Sequence, residues 1–146
     1  MSSFVLNNDS IAYSQVNPVR WKDVVFEKWN TISIRSNRSV IPDTTNTDNI
    51  FSDDNRRTFE LEGSGGRHYY SYTVDTSQQQ LVLKNRNPNY KNELLKLNYR
   101  FFDDSTILLT GIDQNNDSVR ATLSRLNKKF LLEVVAREGR RKALKL

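Results

Sequence analysis

The stretch 95-LKLNYRFFDDSTILLTGI-112 contains the pattern that decides the fold. Apolar side chains occupy every second position of its first half: Leu95, Leu97, Tyr99 and Phe101. The polar residues DDS follow, and the apolar segment TILLTGI begins directly after them. Because successive side chains of a strand point to opposite faces of a sheet, this pattern predicts two antiparallel strands joined by a tight turn.

The same alternation continues on both sides of this hairpin. Towards the C-terminus, the polar run DQNND separates it from SVRATLSRL, in which Val119, Ala121 and Leu123 alternate with polar residues. Towards the N-terminus, strands are predicted over 31–36, 58–62, 70–74 and 81–85. This series of strands, joined mostly by short polar turns, favours an antiparallel up-and-down barrel of the calycin or lipocalin type, or a sandwich. A parallel sheet would need helical crossovers between the strands.

Two segments have helical rather than strand spacing. In 17-NPVRWKDVVFEKWN-30, Asn17 is a suitable N-cap, Pro18 fits the first helical position, and apolar residues follow at helical intervals. In 128-KKFLLEVVAREGRRKALKL-146, the apolar residues favour a helix that ends at Gly139, with a final strand through KFLLEVV as the alternative. The expected fold is therefore mainly β, with a short N-terminal helix and either a helix or a strand near the C-terminus.

A chain of 146 residues is expected to form a single domain. Residues 1–16 are predicted to be an N-terminal extension, residues 17–136 the β-barrel domain, and residues 137–146 a basic tail. Within the barrel domain, residues 36–57 are rich in Asn, Asp, Ser and Thr and are predicted to form a long loop. No window of the sequence approaches the ~20 consecutive apolar residues that a membrane-spanning helix needs.

The composition argues against several kinds of catalytic and metal site. The chain contains no cysteine and one histidine, so thiolate nucleophiles and cysteine-based metal centres are excluded. The aspartates of the predicted loop do not have the spacing of a calcium-binding EF-hand: Asp43, Asp48, Asp53 and Asp54. We therefore expect neither a metal site nor a bound cofactor.

The stretch 63-GSGGRHYYSYTVDT-76 has the glycines of a phosphate-binding loop but not its lysine, and it leads into a strand rather than a helix. It is better interpreted as the turn of a hairpin between the strands at 58–62 and 70–74. His68 has the chemistry of a general base, but no nucleophile motif accompanies it. The pairs Asp103–Asp104 and Asp113–Asp117 lie in predicted turns, where Asp caps nearby amides. We therefore expect no catalytic residues, and hydrolysis by one of these groups is the remaining enzymatic hypothesis.

Aromatic residues at alternate positions of two predicted strands suggest a binding site: Tyr70, Tyr72, Tyr99 and Phe101. In a small barrel such side chains either fill the core or line a cavity for an apolar ligand. A tyrosine-rich interior that is filled solid, with no cavity of about 300 Å³ or more, would remove the ligand-binding interpretation of this stripe. Polar contacts to an acidic head group would come from three further residues: His68, Arg67 and Arg100.

The net charge of +5 is concentrated at the C-terminus, where residues 137–146 contain five basic residues and one acidic residue. This tail is either a solvated end or a binding element for an anionic partner, through Arg140, Arg141, Lys142 and Lys145. The tail lacks interleaved aromatic residues that would stack on bases, so nucleic acid is not the favoured partner. The alternative function is nevertheless a protein or nucleic-acid interaction module that uses this tail.

Three segments resemble a known family: NPVRWKDVVFEKWNTISI, GSGGRHYYSYTVDT and LLTGIDQNNDSVRATLSRLNKKFLL. They are similar to the soluble C-terminal region that follows the transmembrane helices in DoxX-like membrane proteins of Bacteroidota. The similarity extends roughly from Phe4 to Leu132 and provides no catalytic residues. It implies covalently attached membrane helices and a membrane-associated soluble domain, with the side of the membrane left open. The implied role is non-catalytic, accessory or sensing, with a small apolar or amphipathic ligand in the barrel interior.

Overall fold

A computed structural model of the protein describes residues 3–14, 16–27, 29–41, 66–113 and 115–126. Within these ranges the chain forms one nine-stranded antiparallel sheet, curled into a half-barrel, and no α-helix. The strands are β1 (Ser3–Leu6), β2 (Asp9–Ser10), β3 (Trp21–Phe26), β4 (Thr31–Ser36), β5 (Arg67–Asp75), β6 (Gln80–Asn85), β7 (Leu94–Asp103), β8 (Thr106–Ile112) and β9 (Ser118–Ser124). The predicted mainly β, antiparallel architecture is confirmed.

The strand order across the sheet is β2-β1-β9-β8-β7-β6-β5-β4-β3. From β3 to β9 each strand pairs with the next one in the chain, so this part is an up-and-down meander. The predicted hairpin of β7 and β8 is present, with Tyr99 opposite Leu109 and Phe101 opposite Ile107. β1 departs from the meander, because it pairs with β9 at the far end of the sequence.

The predicted N-terminal helix is wrong, because residues 21–26 form strand β3. The side chain of Asn17 does accept bonds from the amides of Val19 and Arg20, at 2.9 and 3.2 Å, but the turn that it closes leads into a strand. A register shift between Trp21 and Asp23 interrupts the pairing of β3 with β4. Trp21 is buried, and Val24 packs against the core three residues later. Because a bulge adds one residue to a strand, the core-facing side chains Trp21 and Val24 are three positions apart. This spacing is the one expected for a helix, which explains the wrong prediction.

Residues predicted to be an N-terminal extension belong to the sheet. Phe4 of β1 lies opposite Ala121 of β9 and is completely buried.

The predicted hairpin partner of β5 also differs, because the strands beside β5 are β4 and β6. Four predicted features lie outside the described residues: the strand at 58–62, most of the loop at 36–57, the C-terminal helix or strand, and the basic tail at 137–146.

The core lies on the concave face of the curled sheet. Side chains that alternate along the strands fill it, including Phe4, Ile32, Ile34, Leu81, Leu83, Leu95, Leu97, Leu109, Val119, Ala121 and Leu123. The curl brings the two borders of the sheet together. The rings of Phe4 and Trp21 lie 5.8 Å apart between centroids, and Arg20 Nε donates to the carbonyl of Ile11 at 2.8 Å. The strands thus enclose an apolar interior, and one end of it holds the candidate site.

Gly111 of β8 offers a test of this packing, because a Cβ atom there would overlap the Lys96 carbonyl oxygen and lie 2.8 Å from Leu97 Cδ2. We expect Gly111→Ala to lower the free energy of unfolding by about 1–3 kcal/mol, measured by urea denaturation. The control is Asn98→Ala, at an exposed position of β7, with an expected change within about 0.5 kcal/mol. Equal urea midpoints for Gly111→Ala and the unaltered protein would contradict the packing of β7 against β8.

Candidate functional site

A cavity of about 230 Å³ lies at the end of the half-barrel where β4 ends and β5, β7 and β9 begin. We call it the His68 cavity. Its apolar walls are Pro18, Val19, Trp21, Ile34, Leu95 and Val119. Its polar lining consists of Ser36, Arg38, His68, Tyr70, Glu93, Asp113 and Asn115. Apolar and polar residues therefore contribute to the lining in similar numbers, and the polar ones include an acid, a base and a phenol.

Glu93 is the most heavily bonded side chain of this lining. Arg38 Nη1 donates to both carboxylate oxygens, at 3.1 and 3.2 Å, and forms an ion pair with them. The Tyr70 hydroxyl donates to Oε1 at 2.9 Å, and Asn85 Nδ2 donates to Oε2 at 3.2 Å. A buried carboxylate is costly unless it is paired and hydrogen-bonded, and Glu93 is both. Burial and the neighbouring Glu93 charge raise the pKa of Tyr70, so its hydroxyl stays protonated as a donor.

The connection between β6 and β7 places Glu93 at this point. The side chain of Asn87 accepts a bond from the Asn89 amide and opens the 3₁₀ turn Pro88–Tyr90. The Glu93 amide then donates to the Tyr90 carbonyl at 2.8 Å, and the Glu93 carbonyl accepts from the Asn85 amide at 3.2 Å. An Asn followed by Pro is a strong start signal for such a turn. The turn brings Glu93 inward just before β7 begins.

His68 lies on the concave face of β5, opposite Ile34 of β4, and only 4% of its surface is exposed. Its ring packs against the ring of Tyr90 in a T-shaped arrangement, with centroids 4.9 Å apart and planes at 78°. Nδ1 lies 3.4 Å from Asn85 Nδ2, whereas Nε2 is buried and has no hydrogen-bond partner within the described ranges. Burial lowers the pKa of His68, the Arg38 charge lowers it further, and Glu93 opposes both effects. The ring is therefore neutral at neutral pH.

The bonds around Asn85 assign the position of the proton on the His68 ring. Asn85 Oδ1 accepts from the Asn87 amide at 3.0 Å, so the NH₂ group of Asn85 is the one that faces Glu93 and His68. An NH₂ group only donates, so Nδ1 of His68 is the acceptor. A neutral imidazole with a bare Nδ1 carries its proton on Nε2. His68 therefore carries an Nε2–H group that is buried and has no hydrogen-bond partner within the described ranges.

Of the four aromatic residues predicted to form one binding site, only one lines the cavity. Tyr70 lines the His68 cavity, but Tyr72, Tyr99 and Phe101 are not among its lining residues. Tyr72 packs against Phe26, with ring centroids 6.3 Å apart. Tyr99 and Phe101 contact each other at 5.8 Å, and the side chain of Phe101 is 66% exposed. The tyrosine stripe does not line one shared cavity.

The predicted polar partners Arg67 and Arg100 are not among the residues that line the His68 cavity. Arg67 forms an ion pair with Asp23 and donates to Ser33 Oγ at 2.9 Å, on the convex face. Arg100 lies over the ring of Phe102, 5.9 Å from its centroid. Alternation explains both outcomes, because an inward His68 requires an outward Arg67, and an inward Tyr99 requires an outward Arg100. Arg140, Arg141, Lys142 and Lys145 lie outside the described residues.

One member of each predicted carboxylate pair caps a turn, and the Asp117 carboxylate instead accepts from Asn7 Nδ2 at 2.6 Å. Asp103 Oδ1 accepts from the amide and the hydroxyl of Ser105, both at 2.7 Å. Asp113 Oδ1 accepts from the amides of Asn115 and Asp117, at 2.8 and 2.9 Å. Among the residues that the structure describes, no three His, Cys, Asp or Glu side chains form a group suited to a metal ion.

Comparisons of the chain with protein-family models, with curated proteins and with solved structures find no match. Over the described part of the chain, no helix has the length and apolar character needed to cross a membrane. Neither result tests the resemblance to DoxX-like proteins, so the functional argument rests on the geometry of the His68 cavity.

The lowered pKa of His68 predicts a specific pH dependence of stability. Unfolded His68 takes up a proton near its ordinary pKa of about 6.5, whereas the folded ring resists protonation until lower pH. The free energy of unfolding should therefore fall as the pH decreases from about 7.5 to about 5.5, by at most about 1.4 kcal/mol per pH unit from this group. In His68→Gln this contribution should disappear.

The measurement is chemical denaturation of both proteins at several pH values within this range. His68 is the only histidine of the chain, so the difference between the two slopes reports on this ring alone. Parallel stability curves would contradict a buried, neutral His68.

Proposed function

We propose that this protein is a non-catalytic binding domain that holds a small apolar or amphipathic molecule in the His68 cavity. The observation that carries the proposal is the His68 cavity itself, about 230 Å³ in volume, where apolar side chains from several strands lie beside hydrogen-bonding groups.

The volume of the cavity sets the size of the proposed ligand. A dry apolar cavity of ~150 Å³ is large enough for benzene, whereas pockets for drug-sized molecules start at about 300 Å³. At about 230 Å³, the His68 cavity fits a molecule of benzene size with a short substituent. The larger ligand expected along the tyrosine stripe does not fit in this space.

The apolar walls supply the main driving force in this proposal. Trp21, Leu95 and Val119 present their side chains to the occupant from three different strands. Burial of apolar surface contributes about 25 cal/mol for each Å² removed from water. A small ligand with few polar atoms therefore gains most of its affinity from these walls, and its polar atom determines its orientation.

The wider setting is proposed from the sequence resemblance alone. In this proposal the domain is a calycin-like or lipocalin-like accessory or sensing unit, attached to membrane helices of a DoxX-like protein. The up-and-down order of β3 to β9 and the cavity at one end of the half-barrel support the barrel part of this view. The complete reading frame of the gene is the test, because hydrophobic spans next to this domain would support the membrane setting.

The binding proposal predicts a localised response to small aromatic compounds. In ¹H–¹⁵N correlation spectra, toluene and acetophenone at millimolar concentration should shift amides of β4, β5, β7 and β9 beside the His68 cavity. Val119→Phe should abolish the response, because the added ring fills the cavity. Val82→Phe is the control, since Val82 lies between the inward-facing Leu81 and Leu83 and so faces away from the interior.

Both variants are first checked for a dispersed, folded spectrum. The absence of any shift in the unaltered protein would overturn the proposal. So would shifts that survive in Val119→Phe, because the compounds would then bind elsewhere.

A further inference from the structure

We infer that the outer face of strands β6 to β9 binds single-stranded nucleic acid. This face lies on the convex side of the half-barrel and shares no residue with the lining of the His68 cavity, so the inference goes beyond the proposed binding function and does not depend on it. It is supported by the charge of the face, by exposed apolar side chains among the charges, and by a depression between them.

Positive charge is the first property of this face. Side chains at alternate positions of β6, β7 and β9 point outward, since those between them are buried. Among the four described strands the single carboxylate is Asp103, at the end of β7, where it caps a turn. The outward-pointing cations are all exposed, and none forms an ion pair within the described part of the chain: Lys84, Lys96, Arg100 and Arg120.

Three of these cations surround a neutral, hydrogen-bonding centre. Lys96 and Arg100 flank Asn98 along β7. Thr110 of β8 lies opposite Asn98, and Arg120 of β9 lies opposite Thr110. The spacing of neighbouring strands places Arg120 about 10 Å from Asn98, and Lys96 is about 13 Å from Arg100. Charges about one Debye length apart repel one another at low salt, and an anionic chain across the face relieves this repulsion.

Exposed apolar side chains lie among these charges. Phe102, Ile112 and Leu94 are 57%, 56% and 43% exposed, and all three belong to β7 or β8. The guanidinium of Arg100 lies over the Phe102 ring, 5.9 Å from its centroid. Aromatic rings and guanidinium planes both stack on unpaired bases, whereas the cations attract phosphates. The face therefore offers contacts to both parts of a nucleotide.

An open depression of about 360 Å³ on this face has a lining that suits a nucleotide. Leu94 and Ile112 provide apolar contacts for a base. The side-chain amides of Gln80 and Asn98 can donate to and accept from the edge of that base. The Lys96 ammonium lies in the same lining and can attract the phosphate.

The width of the face favours a single strand over a duplex. Four strands span about 14 Å from β6 to β9, whereas the major groove of B-DNA is about 12 Å wide. The face therefore does not enter this groove and would meet only the phosphates of a duplex. A single strand presents phosphates and base planes together, so it can also cover Phe102 and Ile112.

The test measures binding of the untagged full chain to fluorescein-labelled oligothymidylate of about 12 nucleotides, a length that single-strand-binding surfaces cover. Anisotropy titrations at several salt concentrations give the dependence of affinity on salt. Four phosphate contacts predict a slope of about −3 for the logarithm of the association constant against that of the salt concentration. The duplex with oligoadenylate should bind at least about fivefold more weakly, because its bases cannot stack on the protein.

The triple variant Lys96→Gln/Arg100→Gln/Arg120→Gln removes three of the cations at exposed positions. Its slope should fall to about −1, and its affinity at low salt should fall at least about tenfold. Amide spectra show whether the variant is folded. If it is not, Arg120→Gln alone should reduce the magnitude of the slope by about 0.7.

The matched control removes the same charge from the basic tail, in Arg140→Gln/Arg141→Gln/Lys142→Gln. Its affinity and slope should stay close to those of the unaltered protein. Phe102→Ala separates stacking from charge, because it should weaken binding about fivefold and leave the slope unchanged.

Absence of oligothymidylate binding at low salt would overturn the inference. Unchanged binding by the triple variant would do so as well, and so would a loss that occurs in the tail variant alone. Polyglutamate and phosphatidylserine vesicles, at equal charge concentration, serve as competitors. We expect both to displace the labelled strand less effectively than unlabelled oligothymidylate does, and equal displacement by either would show that the face does not select nucleic acid.

Discussion

Glu93 is only 7% exposed, and its carboxylate accepts hydrogen bonds from Arg38, Tyr70 and Asn85. These partners come from the segment after β4, from β5 and from the end of β6, so one buried charge ties three parts of the sheet to the start of β7. Loss of one partner of a fully buried ion pair costs about 3–5 kcal/mol, and loss of Arg38 should cost less, because its side chain is 33% exposed and solvent screens the pair. The arrangement is therefore strongly constrained, and the end of the half-barrel depends on it.

The same constraint reaches His68 through Asn85. The amide group of Asn85 satisfies Glu93 and His68 on one side and the backbone of Asn87 on the other, so its orientation is determined. Because the orientation of Asn85 is fixed, the proton of the neutral His68 ring is fixed on Nε2 as well. The hydrogen bonds that stabilise Glu93 therefore also set the protonation pattern of the neighbouring ring.

Sequence patterns predicted the parts of this structure that depend on strict alternation, as in the hairpin of β7 and β8. They failed where a bulge shifted the alternation of β3, and where β1 was too short, at four residues, to show a pattern. Tyr70 was predicted from the aromatic alternation of its strand and His68 as one of three polar residues near the interior, and both line the cavity. Arg38 and Glu93 were missed, since they lie 55 positions apart and outside the strands, and only the folded chain brings them together. Strict alternation along β5 already implies that Arg67 and its neighbour His68 point to opposite faces of the sheet.

The position of the ring proton of His68 is the most direct test of this account. Protein without an affinity tag and with ¹⁵N-labelled histidine gives ring signals from this one residue, because the chain has no other histidine. Long-range ¹H–¹⁵N spectra distinguish a protonated ring nitrogen from a bare one. At neutral pH the account predicts a neutral ring with the proton on Nε2 and a bare Nδ1. A proton on Nδ1, or an imidazolium ring at neutral pH, would contradict it.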